Sequence, residues 1–248
     1  MTFGLAATDF KTLMRIIIAH SAQLQRVILF GSRAQGDYKT HSDIDLAIDY
    51  QQPKKSSETT LQEDFESSSL PYTVDLIDLA LEKDTRLKTF IQKEGVVLYD
   101  EASKSNGDFW MTYAILNEKL SDFQLALSRL DEALTKNIEA DSLYLDGTIQ
   151  RFEFTYELCW KLMKAYLSYL GIDANNPRAA IRESLKQNLI QDKNTPEWLE
   201  MIEKRNLTTH TYHKTMALTV YAGIQSSFIH LLHDFEKKVS PLIVAIAK

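Results

Sequence analysis

Hydrophobic and polar positions follow different periods in the two halves of the chain. In the first half, short apolar runs are bounded by polar and turn-forming residues. Val27–Phe30 is apolar at every position, which predicts a strand covered on both faces. Ile44–Ile48 alternates, with a carboxylate interposed, and Thr73–Ile77 repeats that pattern, so both read as strands. Upstream, Phe10, Leu13, Ile16, Ile17 and Leu24 recur at helical spacing and predict a helix over 8–25. Residues 51–72 are rich in Gln, Ser, Glu and Lys, the texture of a loop with a short exposed helix. The stretch Glu101–Asp108 is polar and aperiodic and reads as a linker. Beyond it the period is helical throughout, with helices predicted near 108–136, 142–170, 177–189, 195–203 and 206–238. Asn175 and Asn176 precede Pro177 as a helix cap with proline in the first turn, and Gly171 after Leu170 is a helix stop. Long helices with short connections imply an antiparallel bundle. The fold class is therefore α+β: a small mixed-sheet domain over 1–102, then an all-α antiparallel bundle over 107–248.

Composition narrows this without changing it. With 44% apolar and 25% charged residues in 248, wholesale disorder is excluded. Eight Gly and five Pro argue against a loop-rich all-β protein. The lone cysteine, Cys159, excludes an intrachain disulfide framework or a cysteine-based zinc site and suits a reducing compartment. No apolar run approaches the about 18 residues of a membrane span. Met1–Leu5 lacks the basic-then-apolar layout of a signal peptide, and Asp9 interrupts it. The expectation is a cytoplasmic protein with no membrane partner. The net charge of −6 divides into −4 for residues 1–100 and −2 for the remainder. Neither half is a bulk polyelectrolyte trap, so contact with RNA requires a local basic patch.

The richest chemistry lies in Leu29–Gly36, followed by Ser42–Leu46. A Gly31-Ser32 turn leaving a buried strand and opening a helix exposes unpaired backbone N–H groups. With the Ser32 hydroxyl and the helix dipole, these suit a triphosphate. Gly31 permits close backbone approach. Asp43 and Asp45, two apart on a strand, share a face and can grip one ion together. Mg²⁺ takes carboxylates plus substrate phosphate oxygens. Asp75, in the other alternating strand, offers a third carboxylate, whereas Asp78 has the opposite parity. Such a set serves in-line displacement at phosphorus. Gly31-Ser32, the fixed gap, Asp43-Ile44-Asp45 and the distant Val74-Asp75-Leu76 together resemble the minimal nucleotidyltransferases of the polymerase-β superfamily. The resemblance spans roughly residues 10–100. It implies that Gly31 and Ser32 contact nucleotide phosphates, that Asp43, Asp45 and Asp75 hold Mg²⁺, and that Asp75 activates the acceptor hydroxyl. ATP is the implied donor.

The second constellation is Lys204–His213. On an ideal helix Arg205 and His210 stand about 140° apart round the axis, so they do not stack on one face. Histidine suits proton transfer near neutrality and arginine clamps phosphate, a pairing fit for RNA cleavage. On spacing alone the weightier reading is simpler: Arg205 caps the helix or pairs with Glu203 or Glu200, and His210 is a polar helix residue. Yet Arg205, His210 and Tyr212 match the Arg-x4-His-x-Tyr signature of HEPN domains. The run from Phe152 through Pro177 to Asn206 resembles the HEPN-related nucleotidyltransferase substrate-binding group, over most of 110–240. In HEPN ribonucleases, positions matching Arg205 and His210 form a composite site across a homodimer. The position matching Tyr212 is where a partner minimal nucleotidyltransferase attaches AMP in toxin–antitoxin pairs.

These resemblances imply a fused toxin–antitoxin module. It is a Mg²⁺-dependent enzyme that moves AMP from ATP to a hydroxyl, with Tyr212, in cis or in a partner chain, as first acceptor. Two alternatives stand beside it. One is a HEPN ribonuclease regulated by the first domain, with RNA as substrate and Arg205 and His210 as catalytic residues. The other is a small-molecule nucleotidyltransferase resembling aminoglycoside-modifying enzymes. Elsewhere the simpler accounts prevail. The stripe Phe152, Tyr156, Cys159, Met163, Tyr166, Leu167 and Leu170 reads as core. Arg178, Arg182 and Lys186 form a solvated basic face. His210 and His213 lack a third ligand for a metal.

Overall fold

The computed structural model describes residues 2–51, 60–103, 105–207 and 214–246. The chain divides into two compact units, 1–118 and 119–248.

The first unit is built on a four-stranded mixed sheet of order β3-β2-β1-β4. Helix α1 (Ala7–Ala19) buries Phe10, Leu13, Met14, Ile16 and Ile17, the apolar face read from the sequence. It stops short of the predicted end at 25. Residues 20–23 form a turn, and β1 (Leu24–Phe30) already begins at Leu24. No glycine or proline marks that break, and the buried Leu24 belongs to the strand, not to the helix stripe. Val27 to Phe30 are all buried, as a central strand requires. α2 (Gly31–Gln35) follows without a gap. β2 (Ile44–Tyr50) pairs antiparallel with β1, and β3 (Val74–Asp78) pairs parallel with β2. A parallel neighbour needs a crossover, and α3 (Leu61–Glu66), the short helix expected in 51–72, lies on that connection.

Two elements escaped the sequence reading: α4 (Thr85–Glu94) and β4 (Val96–Asp100), which pairs antiparallel with β1. Both carried signals. The Asp84 side chain caps α4 by accepting from the N–H groups of Arg86 and Leu87 at 2.8 and 3.3 Å, and Val96–Tyr99 is a β-prone run. The stretch expected to be a linker turns at 101–103, and α5 (Ser105–Leu134) begins at once. Its early residues pack in the first unit: Trp110 meets Phe10 edge-on at 5.8 Å and donates to the Val97 carbonyl at 3.0 Å.

The second unit is helical: α6 (Ser142–Tyr169), α7 (Pro177–Lys186), α8 (Thr195–Leu207), α9 (Lys214–Gly223), one π-helical turn (Ile224–Phe228) and α10 (Ile229–Ile246). Asn176 caps α7 through Ala179 N–H at 2.9 Å, with Pro177 in the first turn, and Gly171 (φ 76°) closes α6. The α6 stripe is core from Phe152 to Leu167, with Phe152 stacked on Phe228 at 5.7 Å. Leu170 is the exception: it sits beyond the helix end and is exposed. The final helix runs on past the expected stop at 238, because Val239 and Ile243 continue its buried face. Among the described residues, no helix is long and apolar enough to cross a membrane.

Candidate active site

Strand register assembles the site. Phe30, the last residue of β1, pairs with Asp45, and Asp45 pairs with Asp75 across the parallel β2–β3 ladder. Residues in register on adjacent strands present side chains to the same face. The parity argument for Asp75 is thus matched by its position, while Asp78 pairs three residues further along with Ile48. Asp43 precedes β2 instead of lying within it, so strand alternation alone does not aim its side chain. Asp43 and Asp75 are exposed and Asp45 is half-buried.

Gly31 follows Phe30 at φ 70°, a left-handed conformation that glycine adopts freely, and any Cβ there would collide with Oδ2 of Asp45. The backbone therefore passes directly over the carboxylate. Ser32, half-buried, is the next residue of α2. That helix is only five residues long, so the dipole expected to attract a triphosphate is undeveloped. What α2 offers is the set of N–H groups of its first turn, which have no partner within the helix.

Three carboxylates gather here with little to neutralise them. The Asp45 carboxyl is pushed above its ordinary range, first by burial, then by the charges of Asp75 and Asp43, with Arg33 opposing. Among the described residues none of the three forms an ion pair, and no group of three or more His, Cys, Asp or Glu is preassembled as a metal cage. The donor set still suits Mg²⁺, which takes one or two carboxylates and leaves its other positions to water and substrate phosphate. Arg33, which the sequence reading passed over inside the motif, is fully buried behind the site, at 1% exposure. A lone arginine between a serine and an alanine gives no periodic signal of burial.

In the second unit the structure places Arg205 in the last turn of α8, where its Nη2 meets Glu157 Oε1 of α6 at 2.9 Å. The expected partners are otherwise engaged: Glu203 faces Arg178 at 3.6 Å and Glu200 faces Lys204 at 3.7 Å. Glu157 Oε2 also accepts from Trp160 Nε1 at 2.9 Å. Glu157 was missed as a site residue, although it lies in the Phe152–Lys161 stretch that carried the family resemblance. Beside it, burial pushes the Tyr156 phenol far above its usual value, while Arg205 and Arg178 pull it down. His210, Tyr212 and His213 lie outside the described residues. The remaining members of the basic face, Arg182 and Lys186, both pair with Glu183, at 3.2 and 3.0 Å.

Comparison with known proteins agrees with this division. Residues 13–104 match the family described as polymerase beta, nucleotidyltransferase. Residues 118–241, half of the chain, match the nucleotidyltransferase substrate binding protein like family. The chain belongs to that family, and joins its HEPN-like domain to a nucleotidyltransferase domain. Two Haemophilus influenzae proteins are similar. Probable ribonuclease HepT is 38% identical over 98 residues, 38% of this chain and 65% of that protein. Probable protein adenylyltransferase MntA is 38% identical over 73 residues, 29% of this chain and 63% of that protein. The chain thus spans just under two thirds of each relative. Among solved structures, a Thermus thermophilus protein is 27% identical with a TM-score of 0.39, covering 51% of this chain and 99% of its own. A Haemophilus influenzae protein, described as a substrate binding domain of a nucleotidyltransferase, is 25% identical with a TM-score of 0.40, covering 52% and 98%.

Proposed function

We propose that the first unit transfers a nucleoside monophosphate, AMP from ATP, to a hydroxyl, and that the acceptor is a protein tyrosine, Tyr212 first, in the same or a partner chain. The observation that carries this reading is the close passage of Gly31 over Asp45, itself in register with Asp75. Gly31 and Ser32 would cradle the phosphates with backbone N–H groups and a hydroxyl. Asp43, Asp45 and Asp75 would hold Mg²⁺, which when bound supplies charge neutralisation at the reacting phosphate. In the transfer, the acceptor oxygen attacks the α-phosphorus and forms the new P–O bond. The bond from that phosphorus to the bridging oxygen breaks, and pyrophosphate leaves. Asp75, the exposed member of the register pair, takes the hydroxyl proton. Tyrosine is weakly nucleophilic at neutral pH, so a nearby base is required.

Fusion of the two domains, with the likeness to proteins named as adenylyltransferase and ribonuclease, supports reading the chain as a fused toxin–antitoxin module, for which we propose a homodimer. A second reading has its own support in the likeness to a protein named as a ribonuclease: Arg205, paired with Glu157, would be the arginine of its motif, and RNA would be its substrate. One experiment separates them. The purified chain is incubated with ATP and Mg²⁺, and its intact mass is measured and mapped to peptides. An adenylyl group on Tyr212, absent from Asp43→Asn, supports the first reading. An unchanged mass with RNA degraded in an Arg205-dependent, metal-independent way supports the second.

A further inference from the structure

Asp43 is the one carboxylate of the three that lies outside the strands. Its peptide to Ile44 is held on one side by Ile44 N–H donating to the Thr73 carbonyl at 2.9 Å and on the other by Arg33. Burying a guanidinium is unfavourable unless its donors are satisfied, and here they go to main-chain carbonyls. Nε donates to the oxygens of Ser42 and Asp43 at 3.1 and 3.0 Å, Nη2 to Ser42 O at 2.5 Å, and Nη1 to Phe3 O at 3.0 Å. The guanidinium also lies 4.4 Å from the Tyr72 ring centre and 5.7 Å from that of Tyr38. A second observation comes from the other end of this clamp. Phe3 has φ 54°, a conformation disfavoured for a bulky residue. A strained residue whose carbonyl ends on a buried arginine is over-determined by its surroundings, and such strain concentrates at functional sites.

We propose that Arg33 is the positioning residue of the phosphate and metal site. Its fork ties α2, which carries Ser32, to the Ser42–Asp43 backbone, so that the phosphate-facing turn and the first carboxylate keep a fixed separation. Tyr72, two residues before Val74 of β3, packs its ring against the fork. A plain structural filler of this volume would need no donors. Five N–H groups in a rigid plane are suited to joining separate carbonyls, and lysine cannot reproduce that geometry. The proposal rests on the nucleotidyl-transfer reading, but its test does not depend on turnover.

The full chain is compared with Arg33→Lys and Tyr72→Leu by following Mn²⁺ binding in the presence of α,β-methylene-ATP, which cannot be cleaved at the transferred bond. Amide hydrogen exchange over 37–46 and thermal melting are recorded on the same samples. Arg33→Lys, still melting cooperatively, is expected to bind Mn²⁺ about 10- to 100-fold more weakly and to exchange faster at Ser42 and Asp43. Tyr72→Leu should move both readouts in the same direction by less. A folded Arg33→Lys with wild-type Mn²⁺ affinity and exchange overturns the proposal. If that variant does not fold, an unchanged Tyr72→Leu overturns it. A wild type that binds Mn²⁺ with the analogue but releases no pyrophosphate from ATP sinks the transfer reading, and the Arg33 comparison still decides its own question. A wild type that binds no Mn²⁺ overturns the proposal as well.

Discussion

The two candidate sites are held by different kinds of structure. In the first unit, backbone hydrogen bonds set the spacing: Phe30 against Asp45, Asp45 against Asp75. A slip of one residue would turn the carboxylates to the other face, so register and site stand or fall together. In the second unit Arg205 lies in the last turn of a helix, and a side-chain ion pair to Glu157 orients it. A ladder fixes a position through many cooperative bonds, whereas that partly exposed ion pair is worth about 1 kcal/mol at most. The comparison predicts that substitutions in the first site change chemistry sharply, and that those around Arg205 act through smaller, separable steps.

The largest effect is expected from Asp45→Asn. Losing the central carboxylate should lower transfer by about 1,000-fold in a pyrophosphate-release assay, since a metal's charge stabilisation is worth several kcal/mol. The same change relieves repulsion with Asp75 and Asp43, so the melting temperature should hold or rise. A drop in both activity and stability would contradict the like-charge account. Next comes Gly31→Ala. The added methyl meets Oδ2 of Asp45 at a positive φ, and the strain should cost about 1–2 kcal/mol in a denaturant titration. Displacing the turn should reduce transfer by about a hundredfold. Glu157→Gln is expected to cost about 1 kcal/mol or less, because both partners are about one-third exposed. Transfer by the first unit should be unaffected, and a loss of transfer would break the separation between the two sites. Smallest of all, Arg178→Ala should stay within about 0.5 kcal/mol of wild type in the same titration. Its contact with Glu203 is an exposed pair at 3.6 Å.

What the sequence revealed follows the same divide. Strands and carboxylates were readable because alternation places Asp45 and Asp75 on a predictable face, and Gly31-Ser32 marks the turn before them. The long helix α6 was readable from its stripe, α5 from its helical period, and the start of α7 from Asn176-Pro177. Other features were hidden for physical reasons. The end of α1 has no breaker residue, and Leu24 fits a helical stripe and a strand equally well. α4 and β4 are short, and only the Asp84 cap and the Val96–Tyr99 run announce them. The role of Arg33 depends on carbonyls of Phe3, Ser42 and Asp43, and the partner of Arg205 lies on α6. Local pattern carries no information on such tertiary partners. The brevity of α2 likewise replaced a helix dipole with a single turn of N–H groups.

The central claim is that the Gly31–Asp45–Asp75 arrangement performs nucleotidyl transfer. The most direct measurement is incorporation of label from ATP carrying a radioactive α-phosphate, with Mg²⁺, in wild type and Asp45→Asn side by side. The account predicts label transferred to the protein with pyrophosphate released in equal amount, and both lost in the variant although it folds as well as wild type. Equal label in wild type and Asp45→Asn would contradict it, because the chemistry would then lie away from the register-built carboxylates.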